Sequence, residues 1–178
     1  CLIIPPFIQK ISPYAFENCQ KLNDIKINED SKLTKIDSLS FYKSSVKKVY
    51  FSSHISEICE YAFAVAENLT KVEFPKNSNL KIIGIQSLCF SSLNEIFIPD
   101  RVIRIESEAF ANSMKLKKII LSENSKLKYI GHKALLNTQI VSFSIPPHVS
   151  QIGLMAFSEC KKIQIIEICE NSELENFV

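Results

Sequence analysis

Residues 145–160 read IPPHVSQIGLMAFSEC, and residues 98–113, which lie 47 positions earlier, read IPDRVIRIESEAFANS. Both stretches start with Ile-Pro, place a Val four residues after the first Ile, and place a second Ile three residues after that Val. An Ala-Phe pair follows four residues after the second Ile in both. Similarity at a fixed period is typical of proteins that copy one supersecondary unit along the chain. The two stretches therefore predict a fold built by stacking copies of one unit.

The second Ile of this pattern, here called the anchor, recurs over the whole chain. The anchors are Ile11, Ile36, Ile58, Ile83, Ile105, Ile130 and Ile152. They lie 25, 22, 25, 22, 25 and 22 residues apart, so that two units make a super-repeat of 47 residues. An Ala/Ser-Phe/Leu pair and an x-x-I-x-I segment follow the anchors in phase. The pattern predicts one domain over residues 1–178, with about seven full units that alternate between 25 and 22 residues.

The local patterns predict the structure of each unit. The x-x-I-x-I segment alternates with period two, as at Ile96, Phe97 and Ile98, which is typical of a β-strand with one buried side. The Ala-Phe segment is too short for a stable helix, and we expect a turn or a short 3₁₀ or helical segment there. One unit cannot bury its own apolar residues, whereas stacked units can. We therefore expect a repeat solenoid with stacked short parallel β-strands on one face and turns or short 3₁₀/helical segments on the other.

The pattern I-P-x-x-V-x-x-I-x-x-x-A-F-x-x-C, seen at residues 145–160, resembles the BspA-like leucine-rich repeat, also called the Treponema pallidum type. The resemblance covers essentially residues 2–178, and the Asn- and Lys-rich style of residues 123–127 is similar to the versions expanded in trichomonad parasites. The family includes bacterial surface adhesins and many protozoan proteins often assigned to the cell surface. Its cysteine is kept at Cys19 and Cys160 and replaced by Ser, Ala or Thr in between, which indicates a packing slot for a small residue.

Composition and motifs argue against several classes of function. The 21 Lys and Arg residues nearly balance the 19 Asp and Glu residues, which argues against a nucleic-acid partner. No apolar run reaches the ~18 residues of a membrane span, so we expect no direct membrane insertion in this segment. The chain lacks a Ser-His-Asp constellation, a glycine-rich phosphate loop and a metal-binding spacing of Cys or His. We therefore predict a protein that is not an enzyme and holds no cofactor or metal.

The six cysteines are predicted to be unpaired. Cys19 and Cys160 share a column but lie three super-repeats apart, which stacking converts to roughly 29 Å. A disulfide needs Cα atoms within ~7 Å. The other four cysteines, Cys1, Cys59, Cys89 and Cys169, fall in four other columns. Free thiols are compatible with a reducing compartment.

The outward positions of the strands contain the candidate binding residues. Three apolar side chains lie between the inward strand residues, where solvent is expected, and exposed apolar clusters often mark interaction sites. Three lysines lie one residue before the inward pair. The alternative is that β-propensity alone favours Tyr, Phe and Ile in a strand. The predicted binding face, which we expect to contact a protein partner, comprises Tyr50, Phe97, Ile120, Lys48, Lys71 and Lys118.

Two functions remain open on the sequence. The family resemblance implies a non-catalytic protein-protein interaction module in surface adhesion or host interaction, and hence a cell-surface location. The alternative is an intracellular scaffold in a large assembly such as the cytoskeleton, favoured by free cysteines and by the lack of a signal-like start. Both ends are expected to be truncated or uncapped, because Leu174 and Phe177 begin an eighth unit. The segment is thus predicted to be an interior piece of a longer array.

Overall fold

Short parallel strands and tight turns make up the structure. A computed structural model of the chain describes residues 1–177, and these residues include strands but no helix. In chain order the strands are β1 (Leu2–Ile4), β2 (Asp24–Ile27), β3 (Lys35–Ile36), β4 (Lys48–Tyr50), β5 (Glu57–Ile58), β6 (Lys71–Glu73), β7 (Ile82–Ile83), β8 (Glu95–Ile98), β9 (Arg104–Ile105), β10 (Lys118–Leu121), β11 (Tyr129–Ile130), β12 (Ser142–Ile145), β13 (Gln151–Ile152), β14 (Ile165–Ile168) and β15 (Asn176–Phe177). The stacked parallel strands confirm the predicted repeat solenoid.

Each turn of the solenoid contributes to two parallel sheets. The narrow sheet consists of the two-residue strands, in the order β15-β13-β11-β9-β7-β5-β3. The wide sheet consists of the strands of three or four residues and is divided into β1-β2-β4-β6, β8-β10 and β12-β14. The wide strands match the predicted x-x-I-x-I column. The narrow sheet was not predicted: it contains the anchors from Ile36 to Ile152, which pair in register.

The Ala-Phe segments form turns that hydrogen-bond to the next unit. The N–H groups of Phe41 and Lys43 donate to the carbonyl oxygens of Ala62 and Ala64, both at 2.9 Å. The intervening N–H groups close turns within the unit, as Ser44 does by donating to Phe41 at 3.2 Å. An α-helix would direct every N–H to a carbonyl of its own segment. Of the alternatives that the sequence left open, the described residues therefore form turns and not helical segments, because alternate N–H groups bond between units.

These turns require left-handed backbone at residues other than glycine. Fourteen described non-glycine residues have positive φ, two in each unit and four positions apart, such as Tyr61 (57°) and Val65 (58°). The left-handed conformation costs roughly 1–2 kcal/mol per L-residue, and a β-branched residue such as Val65 adopts it rarely. Hydrogen bonds between units recur at the left-handed pairs from Leu39 and Lys43 to Lys133 and Asn137, and they offset this cost. The turn column is therefore maintained by stacking more than by local sequence preference.

One continuous core runs along the axis between the two sheets and the turns. It contains the anchors, the inward residues of the wide strands and the Phe/Leu column. Phe110, in the Phe/Leu column, is 0% exposed. The rings of Phe16 and Phe41 stack at 5.0 Å between centroids, and those of Phe41 and Phe63 at 5.1 Å. Burying one such side chain contributes ~1.5–3 kcal/mol.

The predicted packing slot is also observed. Its residues from Ser44 to Cys160 are buried. Most of their polar atoms bond to backbone carbonyls of the turns, whereas Ser91 Oγ bonds to Ser113 Oγ. Ser44 Oγ donates to the carbonyl oxygen of Phe41 at 2.7 Å, and Thr138 Oγ1 to that of Leu135 at 3.0 Å. A buried hydroxyl is tolerated when it is hydrogen-bonded, because its desolvation is then compensated. Small residues with or without a hydroxyl can therefore occupy this slot.

The last wide strand differs from the others in exposure. Ile165, Ile166 and Ile168 of β14 are all exposed, whereas Phe143, which pairs with Ile166, is buried. Within the described residues, β14 pairs with β12 and has no second strand beside it. The column of apolar residues in the wide sheet therefore continues into β14, where no further strand among the described residues covers it.

Candidate functional site

The structure places the six residues of the predicted binding face on the outer side of the wide sheet and at the beginnings of its strands. Phe97 on β8 is 38% exposed, and Ile120 on β10 is half-buried directly opposite it in register. Lys48 and Lys71 are exposed and pair in register on β4 and β6. These residues therefore form neighbouring pairs, although they come from different units.

A shallow groove lies over the outer side of β6 and β8. Its volume is about 570 Å³. The lining residues are Lys48, Thr70, Lys71, Val72, Glu73, Asn94, Glu95, Ile96, Phe97 and Ile120. Four residues of the predicted binding face belong to this lining. Tyr50 and Lys118 do not: Tyr50 lines a second groove of about 510 Å³ beside Lys26 and Glu29.

The groove coincides with an opening in the wide sheet. No ladder of hydrogen bonds joins β6 to β8 in the described part of the chain, whereas β4 pairs with β6 and β8 with β10. The opening follows the long connection that contains Asn77 and Ser78. A similar opening separates β10 from β12. The groove thus lies at a junction where the wide sheet is not closed by strand pairing.

Positive charge surrounds this groove. Lysines are exposed at the beginnings of three wide strands: Lys47, Lys48, Lys71, Lys117 and Lys118. Lys71 forms an ion pair with Glu73, and the hydrogen bond and charge of that carboxylate raise the pKa of the Lys71 ammonium. Its Nζ also lies 5.8 Å from the ring centroid of Tyr50. Over residues 1–177, the other four lysines form no ion pair.

The lining of the groove and its surroundings differ in charge. The lining contains two lysines, Lys48 and Lys71, and two carboxylates, Glu73 and Glu95. Lys47, Lys117 and Lys118 lie beside it at the beginnings of the strands. The positive charge therefore lies at the sides of the groove and not in its lining.

The turn column carries a second apolar surface, which the sequence analysis did not identify. Tyr42, Tyr61, Val65 and Leu136 pack on a small buried cluster outside the main core, and Phe90 is 42% exposed beside them. Several of these residues are in or next to left-handed positions. The direction of these side chains depends on the left-handed backbone, and apolar residues in a sequence do not indicate that conformation. The recurrence of large apolar residues around the Ala-Phe pair was the available signal. We call these five residues the turn surface.

The cysteines are free thiols in the structure. Burial and the charge of Glu57 raise the pKa of the Cys59 thiol to about 12, and burial raises that of Cys89 to about 11. A thiol reacts as its thiolate, so both groups are poor nucleophiles at neutral pH. The described residues contain no group of three His, Cys, Asp or Glu side chains that could hold a metal ion. Residues 1–177 contain no helix that is long and apolar enough to span a membrane.

Comparisons with known proteins agree with this geometry. The family model of the BspA type leucine-rich repeat region matches residues 2–96 and 81–177, with six copies. A leucine-rich repeat protein from Bacteroides ovatus has a similar fold (TM-score 0.81, 23% identity, 96% of this chain and 46% of that chain covered). So does a leucine-rich cell surface protein from Faecalibacterium prausnitzii (TM-score 0.73, 23% identity, 97% and 48% covered).

The pneumococcal vaccine antigen PcpA is a third similar structure (TM-score 0.75, 24% identity, 86% of this chain and 42% of that chain covered). The chain thus spans less than half the length of each of these three proteins. At these identities the similarity concerns the fold. No curated protein sequence matches the chain significantly.

Proposed function

Because the chain belongs to the BspA-type leucine-rich repeat family, we propose that it is a non-catalytic module that binds a protein partner on the outer side of its wide sheet. The finer proposal is a role in surface adhesion or host interaction. Two proteins of similar fold support it, since one is described as a cell surface protein and the other as a vaccine antigen. Six free thiols favour the alternative, a scaffold inside the cell, because disulfides are rare in reducing compartments.

One observation supports the binding proposal most strongly: an exposed Phe97 and its register partner Ile120 border a groove of about 570 Å³. Aromatic side chains in desolvated pockets often contribute most of the energy of an interface. A sheet held by stacked units is already ordered, so little conformational entropy is lost on binding. If β-propensity alone explained these residues, a partner would not depend on them.

The test compares two similarly exposed phenylalanines on different surfaces. Proteins that co-purify with the chain are identified by mass spectrometry, and the affinity of the partner is measured by titration calorimetry. Phe97→Asp is expected to weaken binding by ~2 kcal/mol or more, which is about 30-fold. Phe90→Asp on the turn surface is the matched control and is expected to bind normally.

Two outcomes would contradict the proposed face. Normal binding by Phe97→Asp, with loss of binding by Phe90→Asp, would move the site to the turn surface. Normal binding by both variants would make the column of His54, Arg101 and His148, at the short connections, the next candidate site. In either case the stability of Phe97→Asp should stay within ~1 kcal/mol of wild type, because surface substitutions away from core features have small effects.

A further inference from the structure

We infer that the partner segment is acidic at both ends and carries one large apolar side chain in its middle, which enters the groove between β6 and β8. The inference rests on the proposed function and specifies the partner of the same face. The groove supplies a place for an apolar side chain, and the surrounding lysines supply charges at defined distances from it. Each of these features limits the chemistry of the occupant.

The apolar part of the occupant follows from the lining of the groove. Val72 and Ile96 form part of its floor, and Phe97 and Ile120 border it on the side of β8 and β10. Its volume of about 570 Å³ lies within the range of pockets that hold small ligands, roughly 300–1,000 Å³. One aromatic or large aliphatic side chain with its flanking backbone fits in this space. The exposed carboxylate of Glu95 lies in the same lining and disfavours an acidic residue at the centre.

The charged part follows from exposed lysines that form no ion pair among the described residues. Lys48 on β4 and Lys118 on β10 lie on opposite sides of the groove, three units apart, and neither forms an ion pair among the described residues. Paired strands lie ~4.8 Å apart, and β6 and β8 are not paired, so the separation along the axis is roughly 14 Å or slightly more. An extended peptide rises ~3.3 Å per residue, so carboxylates about four residues apart match this distance. Lys47 and Lys117 add positive charge at the same two positions.

A continuous polyanion fits this pattern less well. A nucleic acid or a sulfated polysaccharide presents evenly spaced charges, and some of these charges would lie against Glu95 and the Lys71–Glu73 ion pair. Like charges at an interface disfavour the wrong partner. The lysines therefore favour two separate acidic positions over an unbroken run of negative charge.

The experiment uses random linear peptides displayed on phage and selected on the immobilised wild-type protein. Selected sequences are expected to carry Asp or Glu about four residues apart on either side of an aromatic or large aliphatic residue. Affinities of synthetic copies are then measured by fluorescence anisotropy. The variant with both Lys48→Glu and Lys118→Glu is expected to bind about tenfold more weakly or worse, since two attractions become repulsions. The control Lys128→Glu, an exposed lysine before β11 of the narrow sheet, is expected to bind normally.

Each outcome supports or overturns a separate statement. Loss of binding by Phe97→Asp with normal binding by the double lysine variant would keep the proposed face and overturn the acidic partner. Normal binding by both would overturn both statements. Selection of basic or uncharged peptides, or of none, would overturn the inference. Heparin or an oligonucleotide that binds through the lysines, with no effect of Phe97→Asp, would replace the peptide by a polyanion.

Discussion

The two sheets of the solenoid differ in continuity, although the same units build both. The narrow sheet has strands of only two residues but pairs without interruption from β3 to β15. The wide sheet has longer strands and is nevertheless open between β6 and β8 and between β10 and β12. Strand length therefore does not decide where the units are held together. The narrow sheet and the turn ladder connect the units, which leaves the wide sheet free to open and form a groove.

Close backbone approach accompanies the continuity of the narrow sheet. A Cβ added at Gly84 would lie 2.5 Å from the carbonyl oxygen of Ile58, and one added at Gly131 would lie 2.4 Å from the nitrogen of Ser107. Such distances are far below van der Waals contact between these atoms, so neighbouring units would have to separate. Glycine follows the anchor at both positions. At Gly84, Gly131 and Gly153 the backbones of neighbouring units therefore approach closely, whereas other units carry Asp37, Cys59 or Glu106 after the anchor.

The largest expected effect concerns the core that both sheets share. Phe110→Ala is expected to lower the free energy of unfolding by ~3–5 kcal/mol, because it leaves a cavity in a fully buried column. Urea denaturation measures the change. Phe97→Ala on the outer side of the wide sheet is the control, with an expected change below ~1 kcal/mol. A change below ~1 kcal/mol for Phe110→Ala would mean that the core has been misplaced.

A smaller effect is expected from a substitution in the narrow sheet. Gly131→Ala should cost ~1–3 kcal/mol, since the added methyl group must displace the backbone at Ser107. Ser144→Ala on the outer side of β12 is the matched control and should stay within ~0.5 kcal/mol of wild type. Thermal or urea unfolding of the two variants compares the sheets directly. If Gly131→Ala were neutral, the close approach would not hold the units together.

The smallest expected effect is chemical and concerns thiols beside each sheet. Cys59 follows β5 of the narrow sheet and is buried, whereas Cys169 follows β14 of the wide sheet and is exposed. Iodoacetamide is expected to modify Cys169 and Cys1 first, and Cys59 and Cys89 only on unfolding. Non-reducing mass spectrometry of the denatured, alkylated protein should then show six modified thiols. Any intramolecular disulfide would contradict the predicted free cysteines.

The same thiols predict a dependence of stability on pH. Burial is the main cause that raises the pKa of Cys59 to about 12 and that of Cys89 to about 11, above the ordinary value of 9.0. Above pH 9 the unfolded chain loses these protons and the folded chain keeps them. The folded state then binds more protons, so its stability falls as pH rises. Urea unfolding between neutral pH and pH 11 should show this loss, and Cys59→Ala should reduce it.

The sequence predicted the repeated columns of the fold but not the narrow sheet. The inward and outward positions of the wide strands could be read from alternation with period two, as at Ile96 and Phe97. A strand of two residues is too short to show such a period. The turn conformation could not be predicted from the sequence either, because residues such as Leu39 and Val65 rarely adopt left-handed backbone on their own. Hydrogen bonds between units impose it.

The outward positions of the candidate residues were predicted from the sequence, but their arrangement was not. Outward exposure followed from alternation, whereas the pairing of Phe97 with Ile120 required the strand register. The opening of the wide sheet beside Phe97 could not be predicted from the spacing of the repeats. Val72 and Ile96 lie 24 residues apart and their strands do not pair, whereas Ile25 and Val49 are also 24 apart and do pair. The position of the groove therefore depends on packing between whole units.

Amide hydrogen exchange tests most directly whether the narrow sheet holds the units together while the wide sheet opens at the groove. At the junction of the same two units, β5 pairs with β7 in the narrow sheet, whereas β6 and β8 are unpaired in the wide sheet. Exchange rates report the free energy of local opening. We expect the amides of β6 and β8 that face each other to exchange faster than those linking β5 to β7, up to the Gly84 amide that donates to Ile58. Equal or slower exchange across β6 and β8 would contradict this account.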